Sequence, residues 1–134
     1  MRIFYNAKCI LKYESGGDYK AAVYVEQSIV DYYRRLIPKY MENVRQSWPA
    51  HITVIRSGVE IPPNISFFSQ YENEIIDFIY SPIIHQDERY YWLNCFSNRL
   101  DEIRSELGLT IKSRITIPPD GYSKCYHITI GKRV

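Results

Sequence analysis

Two four-residue segments constrain this chain more than anything else in it: His51-Ile52-Thr53-Val54 and His127-Ile128-Thr129-Ile130. In a strand, alternate side chains share a face. His51 and Thr53 therefore point one way, and Ile52 and Val54 the other. His127 and Thr129 oppose Ile128 and Ile130 in the same manner. The aliphatic face has to be buried, so each strand belongs inside a sheet and keeps a polar face. Two such faces brought together make a polar cleft in apolar surroundings. The chain holds only three histidines. At ordinary residue frequencies, two of three falling in this pattern has a chance of roughly 10⁻⁴ to 10⁻³. A single His-x-Thr strand is accounted for by hydrogen bonds to backbone or water; the matched pair points to function.

Hydrophobicity and breakers divide the rest of the chain. Residues 2–13 read as a strand, ended by a turn at Ser15-Gly16-Gly17-Asp18, with Asp18 a candidate cap. Ala22, Ile29, Tyr33, Leu36 or Ile37, and Tyr40 recur at helical spacing and predict a helix over 19–40, stopped or kinked by Pro38. A strand follows at 51–56, then a loop at 57–69. Residues 74–84 read as one or two short strands broken at Pro82, and 89–96 as another strand. Asn98 caps a helix whose Leu100, Ile103 and Leu107 share a face and which Gly108 ends. Thr110–Ile117 alternates as a strand, Pro118–Gly121 is a turn, and 125–132 is the last strand. Strand, helix and His-motif strand thus occur twice, over about 2–56 and 89–132. The expectation is one α+β domain over 1–134 with a pseudo-duplicated core.

Composition removes several classes. Hydrophobic residues at 46% and charged residues at 24% suit a globular chain and exclude collagen, coiled coil and disorder. No apolar run reaches the ~18 residues of a membrane span, and the N-terminal residues lack the apolar core of a secretion signal. A net charge of +2 is too mild for a duplex-DNA coat, yet leaves room for a small phosphate ligand. Cys9, Cys95 and Cys125 have no C-x-x-C spacing, so neither a zinc site nor a disulfide framework is expected, and a reducing cytoplasm fits. Thirteen tyrosines are about three times ordinary usage. They suit strands, and they also supply flat faces for stacking nucleobases.

The paired motifs suit one chemistry. Cleaving a phosphodiester needs a base for the nucleophilic oxygen and an acid for the leaving oxygen. Histidine fills either role near neutrality. A threonine hydroxyl on the same face can donate to a non-bridging oxygen as charge develops. Metal catalysis would call for further carboxylate, thiolate or imidazole ligands near the pair, and none is evident, so no cofactor or metal is expected.

The two H-h-[ST]-h motifs resemble those of the 2H phosphoesterase superfamily, which includes LigT-like RNA phosphoesterases and 2′,3′-cyclic nucleotide phosphodiesterases. His51 through Arg56 is similar to the H-x-T-V-x-R form, and His127 through Lys132 to H-x-T-h-G-[RK]. The resemblance implies a bilobed fold, two antiparallel sheets around a central groove with flanking helices. It also implies His51 and His127 as acid and base with Thr53 and Thr129 as phosphate contacts. Residues 33–56 look like the small bacteriophage members, among them anti-CBASS nucleases that degrade cyclic oligonucleotide alarm signals. That implies a cyclic di- or trinucleotide substrate. RNA 2′,3′-cyclic ends, 2′-5′ oligoadenylate and a non-catalytic nucleotide-binding module are the alternatives.

Further candidates for substrate binding are Tyr5, Trp48 and Tyr122 as stacking faces, and Arg56 and Lys132 as phosphate cations. By simple alternation Arg56 and Lys132 face away from the histidines. His85 has no threonine two residues on and reads as a surface histidine. Glu14, Asp18 and Glu88 form no catalytic pair.

Overall fold

Strand pairing organises this chain. The structure is a computed structural model describing residues 3–15, 18–38, 43–44, 48–113 and 125–133. In chain order the elements are β1 (Tyr5–Ser15), β2 (Tyr19–Tyr24), α1 (Gln27–Leu36), β3 (Asn43–Val44), β4 (His51–Ile55), a 3-10 turn (Ile65–Phe67), β5 (Ile75–Gln86), β6 (Tyr90–Phe96), α2 (Asn98–Glu106) and β7 (Tyr126–Arg133). The sheet runs β3-β7-β4-β2-β1-β5-β6, and β6 pairs again with β7. Six strands therefore close into an antiparallel barrel, and β3 adds to the far end of β7.

One apolar row explains the closure. Leu11 pairs with Val23, Val23 with Ile52, Ile52 with Ile128, and Ile128 with Leu93. All five are fully buried, and each such side chain is worth about 1.5–3 kcal/mol. Val30, Tyr33 and Ile37 around α1 and Leu100, Ile103 and Leu107 around α2 join the same core. The row runs through the middle residues of both His-x-Thr segments, so the imidazoles and hydroxyls lie on the other face.

Among the described residues the expected bilobed α+β fold is therefore replaced by one closed sheet with two short helices of 10 and 9 residues. Much of the difference lies at residues 19–24, expected as helix. They form β2 because they are needed on both sides: Tyr19–Tyr24 pair with β1 and Ala21–Tyr24 with β4. Ala22 is buried on a strand, and the helix keeps only the Val30, Tyr33 and Ile37 stripe. Its cap is Glu26, not Asp18, and Tyr40 lies outside the described residues. The first half is thus two strands, a helix and two more strands, and the pseudo-duplication of element order fails. β5 is a single strand running through Pro82, which sits where pairing to β6 slips between Tyr80 and Ile84 and no ladder N–H is required. Residues 110–113 form no strand, and 114–117, with the turn at 118–121, lie outside the described residues.

Other expectations hold. The strands at 51–55, 90–96 and 126–133 fall within a residue or so of the reading. α1 ends at Leu36 ahead of Pro38. α2 ends before Gly108, at φ +84°, as expected, but its cap is Ser97 and not Asn98, which is the first helical residue: Ser97 Oγ accepts from Leu100 N at 3.3 Å. The three cysteines are buried, and no disulfide joins them.

Candidate active site

β4 and β7 are neighbours, joined at the Ile52–Ile128 pair. Antiparallel register about that pair sets His51 toward Thr129 and Thr53 toward His127. The two histidines then occupy diagonal positions on one face, a separation of roughly 7–8 Å. All four side chains line one pocket of about 230 Å³, together with Gln27 and Val30 of α1, Trp48, Pro49, Ala50 and Tyr90. Gln27 closes the helix onto the first motif, its Oε1 accepting from Ala50 N at 3.0 Å.

The histidines share a second feature. His51 Nδ1 lies 2.8 Å from the Pro49 carbonyl. A carbonyl only accepts, so Nδ1 carries the proton and Nε2 is left to exchange one. His127 also bonds the backbone two residues earlier, at Cys125, an interaction that favours its charged form. Burial outweighs it. With lesser electrostatic contributions from Lys112, His51 and Arg56, burial brings His127 down to about 4. His127 is therefore neutral at neutral pH. Beside it Asn94, its partner on β6, is buried and accepts from Trp92 Nε1 at 3.0 Å.

Each motif ends in the same irregularity, which corrects the alternation argument. On β4, Thr53 pairs with Ala22 and Ile55 with Ala21, so Val54 is an extra residue. Val54 and Ile55 are both buried, and Arg56 emerges exposed on the histidine face. On β7, Thr129 pairs with Trp92 and Gly131 with Tyr91, so Ile130 is extra. Ile130 and Gly131 are buried, and Lys132 emerges beside its partner Tyr90. A bulge changes the parity of everything beyond it. Arg56 and Lys132 thus face the same side as the histidines.

The remaining sequence candidates divide. Trp48 is 61% exposed at the pocket rim, with Lys20 Nζ 4.9 Å from its ring centroid. Tyr5 lies elsewhere, in a tyrosine-lined cleft with Tyr32, Tyr33 and Tyr80, and takes no part in the histidine pocket. Its odd position on β1 aligns it with Cys9 and Leu11, away from the face that Tyr24 shares with His51. Tyr122 lies outside the described residues. His85 is half-buried, not a surface residue; its ring lies 5.9 Å from that of Trp92, its partner across β5–β6, and burial lowers its pKa.

Sequence reading missed Gln27, Tyr24, Tyr90 and Lys112. Tyr24 pairs with His51 across β2–β4, ring centroids 6.3 Å apart. No local pattern marks these residues, because pairing and helix docking bring them to the site. A larger, open hollow of about 690 Å³ lies along residues 74–79 and the start of α2. Its charges are spent internally: Arg99 binds Glu74 at 2.7 and 3.0 Å. Among the described residues no group of three or more His, Cys, Asp or Glu is placed to hold a metal ion. No helix among them is long and apolar enough to cross a membrane. Comparison of the chain with family models, with curated proteins and with solved structures finds no match.

Proposed function

We propose that the protein is a two-histidine phosphodiesterase of the 2H type, cutting ribose 3′-5′ links in small oligonucleotides, cyclic oligonucleotide signals foremost. The observation that carries this reading is the convergence of His51, Thr53, His127 and Thr129 on one small pocket. At about 230 Å³ it is smaller than a typical drug-sized ligand site. It suits a phosphate with part of a ribose, the bases lying outside against Trp48 and Tyr90. The resemblance of the two motifs to the superfamily supports the same reading. In a host cell such an enzyme would remove nucleotide alarm signals, as a viral evasion factor does.

The proposed reaction starts with neutral His127 taking the proton of the ribose 2′-OH next to the scissile phosphate. The 2′-oxygen attacks phosphorus, which its tether keeps close. Protonated His51 gives its Nε2 proton to the departing 5′-oxygen as the P–O5′ bond breaks. The products are a 2′,3′-cyclic phosphate and a 5′-hydroxyl. Thr53 and Thr129 donate to the non-bridging oxygens, where negative charge grows. Two histidines complete the proton account, and among the described residues the pocket lining holds no carboxylate or thiolate.

The test is mass spectrometry of products from matched ribo- and deoxyribo-cyclic dinucleotides and trinucleotides, with RNA 2′,3′-cyclic ends and 2′-5′ oligoadenylate alongside. Cleavage of ribose compounds only, with a 2′,3′-cyclic product, is expected. Equal cleavage of deoxy compounds overturns internal attack, and binding without turnover of any substrate makes the protein a nucleotide-binding module.

A further inference from the structure

Two cations beside His127 stand outside the pocket that gathers the four motif side chains. Lys112 lies in the segment after α2, and three anchors fix that segment. Asp101 Oδ1 accepts from Lys112 N at 3.0 Å, from Ser113 N at 3.2 Å and from Tyr126 Oη at 3.0 Å. Tyr126 immediately precedes His127, so one carboxylate ties the segment to the second motif. Arg104 Nε donates to Thr110 O at 2.6 Å at the near end. Arg56 comes from the other strand, turned to this face by the Val54 bulge. Both cations act on His127, and Arg56 acts on Lys112.

No side-chain ion pair among the described residues neutralises either of them, and Lys112 is half-buried. Among the described residues the carboxylate that acts on the Lys112 amine is Glu60, which Arg104 holds at 2.7 and 3.1 Å. Burial and the neighbouring positive charges of Arg104 and Arg56 lower the Lys112 amine. Like charges brought together without a counter-ion cost free energy unless an anion joins them. The scissile phosphate of the proposed reaction is not that anion, since neither Lys112 nor Arg56 lines its pocket. Along β4 the step from Thr53 to Arg56, with one residue taken up by the bulge, is about 7 Å. That is the scale of one ribose between two phosphates.

We propose that Lys112 and Arg56 form a second phosphate subsite on the His127 side, so that the ligand is an oligonucleotide with adjacent phosphates and not a nucleoside monophosphate. The inference rests on the phosphodiesterase reading for its central site, but its own test requires no turnover.

The probe is adenosine 3′,5′-bisphosphate, whose phosphates are spaced as in an RNA chain, titrated by calorimetry against adenosine 3′- and 5′-monophosphate. Wild type is expected to bind the bisphosphate at least about tenfold tighter than either monophosphate, as one added charge-assisted contact allows. Lys112→Gln should bring the bisphosphate down to the level of the monophosphates, and Lys112→Arg should restore most of the preference. The bisphosphate affinity of wild type should also fall more steeply with added salt. Cyclic and linear triadenylates offer the same spacing, and whichever loses more affinity in Lys112→Gln is the topology the subsite takes. Equal wild-type affinity for bisphosphate and monophosphates overturns the proposal, as does an unchanged preference in a folded Lys112→Gln variant. A bisphosphate preference in a protein that cuts no phosphodiester would keep this subsite and sink the phosphodiesterase reading.

Discussion

Replacing Arg104 with methionine tests whether a buried guanidinium holds the cationic side of the site together. Arg104 is fully buried. Nη1 donates to the Val54 carbonyl at 2.6 Å, and Nε to the Thr110 carbonyl at 2.6 Å. Nη1 and Nη2 bind the two oxygens of Glu60 at 3.1 and 2.7 Å. Val54 is the bulge residue of β4, so Arg104 supplies the partner that its carbonyl would otherwise seek in the ladder. Methionine fills the volume but leaves Glu60 without its cation, with only the Arg56 N–H on Oε1 at 3.0 Å, and strands two carbonyls. Removing one member of a buried ion pair costs about 3–5 kcal/mol, and each orphaned carbonyl that water cannot reach adds about 1–3 kcal/mol. Water reaching Glu60 offsets part of this, since its side chain is 19% exposed. The expected loss is about 3–5 kcal/mol, a large share of the 5–15 kcal/mol that holds a domain folded. Urea denaturation of wild type, Arg104→Met, Glu60→Gln and the double variant gives each cost and the coupling between the two residues. A loss below about 1 kcal/mol for Arg104→Met, at unchanged m-value, would refute the reasoning, as would additivity of the two changes.

Three further outcomes follow from the site. His51→Ala and His127→Ala should each lower turnover at least ~10²-fold in folded protein, and Thr53→Ala or Thr129→Ala up to ~10³-fold; wild-type rates in either histidine variant would end the two-histidine mechanism. Because the fold holds His127 near 4 against an ordinary 6.5, the unfolded chain binds a proton between those values that the folded chain does not. Stability should fall as pH drops from 6.5 to 4, by at most about 3 kcal/mol, and His127→Asn should flatten that stretch of a urea-midpoint profile. The lowered carboxyls of Glu60 and Glu74 act at lower pH, their contribution being lost as pH falls through their folded values. Activity on a verified substrate should survive exhaustive EDTA dialysis, and loss restored by added metal would contradict the proton account.

The sequence carried the site better than the fold. The His-x-Thr strands were legible because alternation is local: Ile52 and Ile128 are buried because of what they are, whatever closes around them. Residues 19–24 were not legible, because Ala21, Ala22 and Val23 pack equally well on a helix face or in a strand between two others. Only the partners β1 and β4 decide, and they are remote in sequence. The faces of Arg56 and Lys132 were misjudged for a related reason. Alternation assumes an unbroken ladder, and both motifs end in an extra residue. Gly131 is a local hint of that on β7; Val54-Ile55 gives none on β4. Lys112 left no trace in the sequence, since its placement depends on Asp101, Arg104 and Tyr126 meeting after folding.

The Ile52–Ile128 pair is the centre of a local pseudo-twofold relation that exceeds the two motifs. It exchanges His51 with His127, Thr53 with Thr129, the Pro49 carbonyl with the Cys125 backbone, and the Val54 bulge with the Ile130 bulge. It also exchanges Arg56 with Lys132. A phosphorus placed at that centre would meet an imidazole on each side, as in-line displacement requires of an acid and a base. Symmetry alone would give the two histidines the same proton affinity and no reason to divide the roles. The surroundings break it. His127 lies beside buried Asn94, with Lys112 and Arg56 nearby, and is held neutral. His51 sits beside Tyr24 and the exposed Trp48 rim, its Nδ1 on the Pro49 carbonyl. The direction of the proposed reaction therefore follows from what packs around a symmetric frame. Lys112→Gln should reveal this by raising the His127 titration seen by imidazole NMR, whereas a proton affinity set by the frame alone would leave it in place.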